Sequence, residues 1–308
     1  MTRKALLILF GLSVTLTLPA AAFAQLVRQD IGTKLLVPSS ARTGAFTSLL
    51  VVLNMDTQPN TVEIRARRPD GSSLGNSLTV GLAVGGSFRS TDILGELGAP
   101  VDGGSFGPIT VESLNNRLLS AVSEVYSAQG TAGFFPGVNV DSAWTLGFIP
   151  EIAETGDRGV PGTHRTNLGL NTVSGSSASV QVTFFNNAGQ PVGVVNRTVP
   201  GNGLDQINIR DSFGLSGPRT GYLRISSDRP LLAWASKIEN FLNDPSFEIG
   251  VASAGAAMSQ IEPTAVVIQN QWMAAGLALL AAFVVVLWPS RPVRSGPSLR
   301  PEPQLDPA

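Results

Sequence analysis

The chain has one histidine and no cysteine, so few residues could perform nucleophilic or metal-assisted chemistry. His164 stands beside Arg165 at the start of an alternating segment, where it could serve as a base or a ligand. A catalytic histidine needs a nucleophile or orienting partner within reach, and a zinc site usually needs three or four ligands. We therefore interpret His164 as an incidental residue near a strand start. A ligand contact made by His164 and Arg165 is the alternative.

A second motif with possible chemistry is GGSFG at residues 103–107, which fits the G-x-S-x-G pattern of serine hydrolases. In those enzymes a strained turn between a strand and a helix exposes the serine above a parallel sheet. The sequence around this motif alternates like β-strands and shows no strand–helix repeat. We interpret it as a flexible hairpin connection, and a serine hydrolase that uses Ser105 is the remote alternative.

Acidic residues gather in the segment EIAETGDRG, at Glu151, Glu154 and Asp157. Calcium takes six to eight oxygen ligands in proteins, but this spacing matches no calcium-binding loop. We interpret the segment as a solvated junction between two modules, and we expect no metal and no cofactor. Trp144 lies near this junction and could line a cleft for a glycan or peptide, although tryptophan is more often a core residue.

The composition excludes some classes of protein. The chain has 308 residues, a formal net charge of -1 and 14% charged residues, without the basic patch that nucleic-acid binding needs. The 33 glycines and 21 prolines, together with many Val, Thr and Ser residues, predict short strands and frequent turns. Without cysteine there are no disulfides, so the domains must be stable through packing alone.

The first residues have the pattern of a secretory signal peptide. Arg3 and Lys4 form a positive region, Ala5–Leu18 is apolar, and Ala22–Ala24 is a small-x-small cleavage site. We therefore predict that residues 1–24 are a signal peptide and that the mature chain is exported.

The C-terminal region has the pattern of a membrane anchor. The segment 272–288, WMAAGLALLAAFVVVLW, is uncharged, and as a helix it would be about 25 Å long against a bilayer core of about 30 Å. Residues from 265 onward could extend it, and the three arginines that follow match the positive-inside rule. We predict a transmembrane helix at 265–288 and a cytoplasmic Arg/Pro-rich tail at 289–308. The chain is then a type I single-pass protein whose ectodomain lies outside the cytoplasmic membrane.

The region between these signals contains two similar halves. SLNNRLLSAVSEVYS, from residue 113, resembles SSDRPLLAWASKIEN at an offset of 113 residues, which places Trp234 where the first half has Ala121. Asn54 corresponds to Asn171 at an offset of 117, and the VP pair at residue 37 corresponds to the IP pair at residue 149. Matches held in one order over such a length indicate an internal duplication. We predict one repeat at residues 25–140 and another at 141–262.

Each half has the alternation of β-strands. Val62, Ile64 and Ala66 alternate with polar residues, which is the period of a half-buried strand, and VQVTFF at residue 180 behaves similarly. Turn-forming residues such as PDG, NAG and PGNG separate these runs. We predict an all-β fold class with two tandem antiparallel β-sandwich domains, a barrel being the alternative, followed by the one C-terminal transmembrane helix.

Two motifs carry a resemblance to a known kind of module. RTNLGLN at residues 165–171 and PLLAWASKIEN at 230–240 resemble the tandem immunoglobulin-like β-sandwich repeat of bacterial secreted and envelope proteins, in particular an acidobacterial-type extracellular module. The first half departs from it, since Ser48-Leu49-Leu50 stands where the second has Arg-Thr-Asn. The resemblance implies a fold and a location. It implies no activity and no catalytic residues.

These observations predict a non-enzymatic display or adhesion-type protein, anchored in a membrane, that binds partners through sandwich loops or edges. Its partner would be an envelope protein or a glycan, and nucleic acid is not expected. The alternative is a receptor for a glycan or peptide with its site at the junction near Trp144.

Overall fold

Residues 29–127, 130 and 132–253 are described by the computed structural model, and nearly all their regular structure is antiparallel β-strand. The predicted all-β class is confirmed. The predicted signal peptide, transmembrane helix and tail lie outside the described residues. Within the described part of the chain, no helix is long and apolar enough to cross a membrane.

The first half forms two sheets. Their strand orders are β4-β3-β6-β1-β9 and β5-β2-β7-β8, and a short helix α1 (Ile93–Glu96) follows β5. The strands are β1 (Lys34–Ala41), β2 (Phe46–Asn54), β3 (Asn60–Ala66), β4 (Leu78–Leu82), β5 (Ser87–Ser90), β6 (Phe106–Ser113), β7 (Leu119–Ser127), β8 (Ala132–Pro136) and β9 (Val138–Asn139).

The second half repeats this strand order, with the single long strand β15 in the places that β6 and β7 occupy in the first half. Residues 219–231 of β15 pair with β10 and residues 231–239 pair with β11, so the strand crosses from one layer to the other. The resulting orders, β13-β12-β15-β10-β17 and β14-β11-β15-β16, match the first half strand by strand. The elements are β10 (Trp144–Glu154), β11 (His164–Thr172), β12 (Ala178–Asn186), β13 (Pro191–Val199), β14 (Leu204–Asn208), α2 (Ile209–Phe213), β15 (Arg219–Glu239), β16 (Pro245–Ile249) and β17 (Val251–Ala252).

A β-bulge occurs at the same place in both halves. The register of β1 against β6 shifts between Val37 and Ser40, and that of β10 against β15 shifts between Ile149 and Ile152. A proline follows Val37 and Ile149 in the sequence, and proline has no N–H for the ladder. The VP and IP pairs noted in the sequence therefore mark a shared irregularity of the first strand.

The burial pattern corrects the sequence alignment by one residue in the late strand. Leu119 and Ala121 belong to the first core, whereas Leu231 and Ala233 belong to the second. Ala121 therefore corresponds to Ala233, and Val52, which pairs with Ala121, corresponds to Leu170, which pairs with Ala233. The predicted matches of Ala121 with Trp234 and of Asn54 with Asn171 are both wrong by one residue. A slip of one residue in a strand moves a side chain to the opposite face of the sheet. Trp234 accordingly faces away from the second core and packs with residues of the first half.

Each half encloses an apolar core contributed by both of its layers, an arrangement compatible with a β-sandwich. The alternation predicted for β3 is confirmed, because Val62, Ile64 and Ala66 are all buried. Core side chains of the first half include Leu35, Leu50, Ile64, Ile109, Val111 and Leu119. Those of the second include Trp144, Ile149, Leu168, Val182, Phe184 and Ile225.

The two halves meet at a buried joint. Trp234 lies with its ring centroid 5.5 Å from that of Phe135 in β8 and 5.6 Å from that of Phe247 in β16. The indole lies so close to Gly169 on the neighbouring strand that any side chain there would overlap it. A small apolar cluster of Leu36, Val138, Ala143 and Leu232 extends the contact.

Asn171 connects this joint by hydrogen bonds. Its Oδ1 accepts from Nε1 of Trp234 at 2.8 Å, and its Nδ2 donates to the carbonyl oxygen of Pro38 at 3.1 Å. Asn171 is completely buried, so both bonds are shielded from water. One side chain therefore links a strand of the second half to a strand of the first.

Candidate functional site

Trp144 does not lie in a cleft. It is only 1% exposed and forms part of the second core. Gly147 and Gly250 lie against its ring, and a β-carbon on either glycine would come within 2.8 Å of the indole. This corrects the predicted ligand contact by Trp144 at the junction, because no face of the ring is open to a ligand.

Ser105 is turned into the protein. It is completely buried, and its Oγ donates to Oδ1 of Asp102 at 2.9 Å. This hydrogen bond is the main reason that the pKa of Asp102 is lowered. The carbonyl oxygen of Ser105 accepts from the N–H of Arg42 at 2.7 Å. A hydrolase nucleophile stands exposed above its sheet, whereas Ser105 fastens a loop, so the remote hydrolase alternative loses its geometric basis.

The acidic segment predicted as a solvated junction lies within the second half, because Glu151 and Glu154 belong to β10 and Asp157 lies in the loop between β10 and β11. Each of these three acidic residues is paired with a cation. Glu151 meets Nζ of Lys237 at 2.6 Å, and Asp157 meets Nη1 of Arg210 at 2.6 Å. Glu154 is completely buried, and its Oε2 lies 3.4 Å from Nε of Arg210. Among the described residues, no group of three or more His, Cys, Asp or Glu residues could hold a metal ion.

Glu154 fastens the end of β10 to α2. Its Oε1 accepts from the N–H of Thr166 at 2.7 Å, while burial raises the pKa of the carboxyl group against the opposing effects of Thr166 and Arg210. The first half has an equivalent ion pair with the charges reversed. There Arg42, at the end of β1, meets Asp92, which caps α1, at 2.8 Å. The two pairs occupy corresponding places, so these charges are explained by stability.

An exposed apolar surface lies at one end of the second half. We define the tip as the loop 155–163 between β10 and β11 together with the turn 240–244 between β15 and β16. Phe241 and Leu242 are 61% and 63% exposed, and Val160 in the neighbouring loop is 45% exposed. Single exposed apolar residues are ordinary, but adjacent ones on two contacting loops indicate a contact surface.

The turn of the tip is held by one carboxylate. Glu239 accepts hydrogen bonds from the backbone N–H groups of Gly162, Phe241 and Leu242, with the Phe241 bond at 2.8 Å. These donors, Leu242 first, lower the pKa of Glu239. The same carboxylate therefore binds both loops of the tip and fixes the backbone that carries the apolar side chains.

Arg165 and Asn240 complete the scaffold. Arg165 donates from Nη1 to Oδ1 of Asn240 at 3.0 Å and from Nη2 to Oδ1 of Asn243. Asn240 in turn donates from Nδ2 to the carbonyl oxygen of Gly156 at 3.1 Å and to Oγ1 of Thr163 at 3.0 Å. Burial is the main cause that lowers the pKa of Arg165. Its guanidinium supports the tip, and a ligand would meet the apolar residues first.

The structure places His164 at the base of the tip. Its backbone N–H donates to Oγ1 of Thr155 at 2.8 Å, and it pairs across the sheet with Glu239. The two sequence motifs also meet here, since RTNLGLN lies on β11 and PLLAWASKIEN ends β15, its neighbour. The motif residues Arg165 and Asn240 are thus hydrogen-bonded partners.

Sequence reasoning missed Phe241 and Leu242. The signal was an FL pair within the polar turn ENFLND, where a hairpin usually carries only polar or small residues. Judging that pair required knowing that β15 ends at Glu239 and that the turn is open to solvent.

The tip lies at the opposite end of the second half from the point where the chain continues toward its C-terminus. The N–H of Ser253 donates to the carbonyl oxygen of Leu146 at 2.9 Å, near the beginning of β10. Strand β10 ends at Glu154, beside the tip. Eight residues of strand at about 3.3 Å each separate the two points by about 26 Å.

Comparisons with known proteins add little to this geometry. No family model and no curated protein matches the chain. One solved structure, described as "Crystal Structure of Thermotoga maritima 1070", has 17% identity and a TM-score of 0.31, and the match covers 36% of this chain and 96% of that one. A likeness this weak carries no argument about fold or function.

Proposed function

We propose that this chain is a non-enzymatic display or adhesion-type protein of the cell envelope, which binds a partner through the tip. In this proposal residues 1–24 direct export, and the segment 265–288 anchors the chain in the cytoplasmic membrane. Two immunoglobulin-like sandwich copies, residues 25–140 and 141–262, form the ectodomain. The partner is an envelope protein or glycan outside that membrane.

The observation that carries this proposal is the fixed presentation of Phe241 and Leu242. An apolar side chain held out of the core exposes surface whose burial against a partner yields about 25 cal/mol per Å². Because Glu239 and Arg165 already fix both loops, little conformational entropy remains to be lost on binding.

The position of the tip supports display. The described part of the second half ends at Ser253, at the end opposite the tip, so the tip is remote from the point where the chain continues. The repeated strand order and the shared bulge support a duplication. The buried joint at Trp234 and Asn171 supports a first copy that acts as a rigid support for the second.

The test replaces the apolar residues of the tip in the full chain. A double variant, Phe241→Ser with Leu242→Ser, should keep the melting temperature, since both side chains are solvent-exposed. In mild-detergent extracts of membranes it should sediment as a smaller complex than the original chain. The matched control is Val194→Ser, at a residue that is 53% exposed on β13. The control should sediment like the original chain, and equal complexes for both variants would contradict the proposal.

A further inference from the structure

The strand β14 has one unpaired edge, which lies in a groove between the two halves. On one side β14 pairs with β11 from Leu204, opposite Asn171, to Asn208, opposite Asn167. On the other side, the N–H of Leu204 donates to the carbonyl oxygen of Pro69 at 3.0 Å. Pro69 belongs to a turn of the first half, so this edge already donates one strand-like hydrogen bond to a residue outside its sheet.

The geometry of that bond shows which groups face the groove. In an antiparallel pair, alternate residues direct their N–H and C=O groups to the same side. Because Leu204 directs its N–H to Pro69, Gln206 and Asn208 direct theirs to the same edge. Outside the strand ladders, these two N–H groups form no hydrogen bond with a described residue, and the carbonyl oxygen of Gln206 accepts none. The groove therefore presents alternating donors and an acceptor with the repeat of a β-strand.

The groove is lined by residues of both halves. Its volume is about 440 Å³, and Pro69 and Phe106 of the first half line it opposite β14. At its base, Nδ2 of Asn208 donates to Oδ1 of Asn167 at 3.4 Å. The one charged residue of the lining, Asp205, is neutralised by Arg197 through two hydrogen bonds of 2.7 and 2.8 Å. The lining is thus an apolar wall facing a neutral backbone edge.

We propose that this groove binds an extended peptide segment of a partner protein, which adds as a strand to β14 beyond Pro69. The free backbone groups recognise the peptide main chain, as in other β-strand additions. Phe106 and Pro69 contact apolar side chains on one face of the peptide. The groove is lined by both halves and shares no residue with the tip, so the site is distinct from the tip.

The experiment uses a phage library of random decapeptides selected on the immobilised full chain, and the strongest binder is synthesised. Two variants separate the backbone from the side chain at one position. Gln206→Pro removes the groove-facing N–H and leaves the β11 ladder intact, because a proline is tolerated where an edge strand faces outward. Gln206→Ala keeps the N–H and serves as the matched control.

We expect the Pro variant to bind the peptide at least about tenfold more weakly than the original chain, because a hydrogen bond is lost and the proline ring blocks the edge. The Ala variant should bind within about threefold of the original chain. The melting temperature of both variants checks their fold. N-methylation of the peptide at single positions is the second measurement, and it should abolish binding at alternate residues only. Three results would overturn the proposal. The two variants could bind the peptide equally, or methylation could have the same effect at every residue of the peptide. The bound peptide could also leave the Gln206 amide hydrogen exchanging as fast as in the free protein.

Discussion

Replacing Asn171 by alanine tests the joint between the two halves. The substitution removes the acceptor of the Trp234 indole N–H and the donor to the Pro38 carbonyl. All three residues are buried, so water cannot replace either partner without entering the joint. We therefore expect Asn171→Ala to destabilise the whole described unit although the residue touches neither loop of the tip.

The magnitude follows from the two groups that lose their partners. A buried polar group left unpaired costs about 1–3 kcal/mol, so two of them predict a loss of about 2–6 kcal/mol. For a unit of this size, 1 kcal/mol corresponds to about 2–4 °C in melting temperature. The variant should therefore melt at least about 4 °C below the original chain.

The assay is a double-mutant cycle by urea denaturation of the full chain. Trp234→Phe removes the indole N–H, so Asn171→Ala in that background leaves only the Pro38 carbonyl unpaired. We expect the cost of Asn171→Ala to fall by about 1–3 kcal/mol between the two backgrounds. Equal costs in both backgrounds, or a cost below about 0.5 kcal/mol in the original chain, would refute the reasoning.

Three further predictions concern the same unit. Gly169→Ala should lower stability by about 1–3 kcal/mol in thermal or urea denaturation, because the new methyl group overlaps the indole of Trp234; an unchanged midpoint would contradict the packing described. Because burial raises the pKa of Glu154, the folded protein binds this proton more tightly than the unfolded chain does. Its contribution to stability is present below the unfolded pKa and is lost as pH rises through the folded one. The stability of the original chain relative to Glu154→Gln should fall over that pH range, and a rise would contradict the assignment. Arg165→Ala should increase hydrogen exchange of the tip amides about tenfold, with the two cores unchanged, because it frees Asn240 and Asn243.

Local patterns were enough to predict some of the strands. The alternation of VEIRA and of VQVTFF identifies β3 and β12, and the VP and IP pairs mark the shared bulge. A period of two is a property of each strand by itself, so it is visible without knowing the neighbours. The helices α1 and α2, of four and five residues, are too short to show a helical period.

It was harder to predict which face of the sheet each residue of a strand occupies. Aligning Trp234 with Ala121 matched the letters around the LL pairs, but an alternating pattern tolerates a slip of one residue. The structure resolves this because Ala233 lies in the second core and Trp234 in the joint. Only a contact with the other half reveals why a tryptophan is needed there.

The candidate site depended on distant contacts. Asn171 and Pro38 are 133 residues apart in the chain, and Arg165 and Asn240 are 75 apart. No local pattern predicts such pairs. The sequence named His164 and Arg165 as possible ligand contacts, and the structure places both at the base of the tip. It named Trp144 as a possible cleft residue, whereas the structure packs the ring against Gly147 and Gly250 in the second core.

The central claim, that the tip contacts a partner, is tested most directly by photocrosslinking in cells. A photoreactive phenylalanine at position 241 of the full chain should yield a discrete crosslinked product on irradiation. The same photoreactive residue at position 194 on β13, where Val194 is 53% exposed, should yield none. Absence of a product at position 241, or equal products at both positions, would contradict the account.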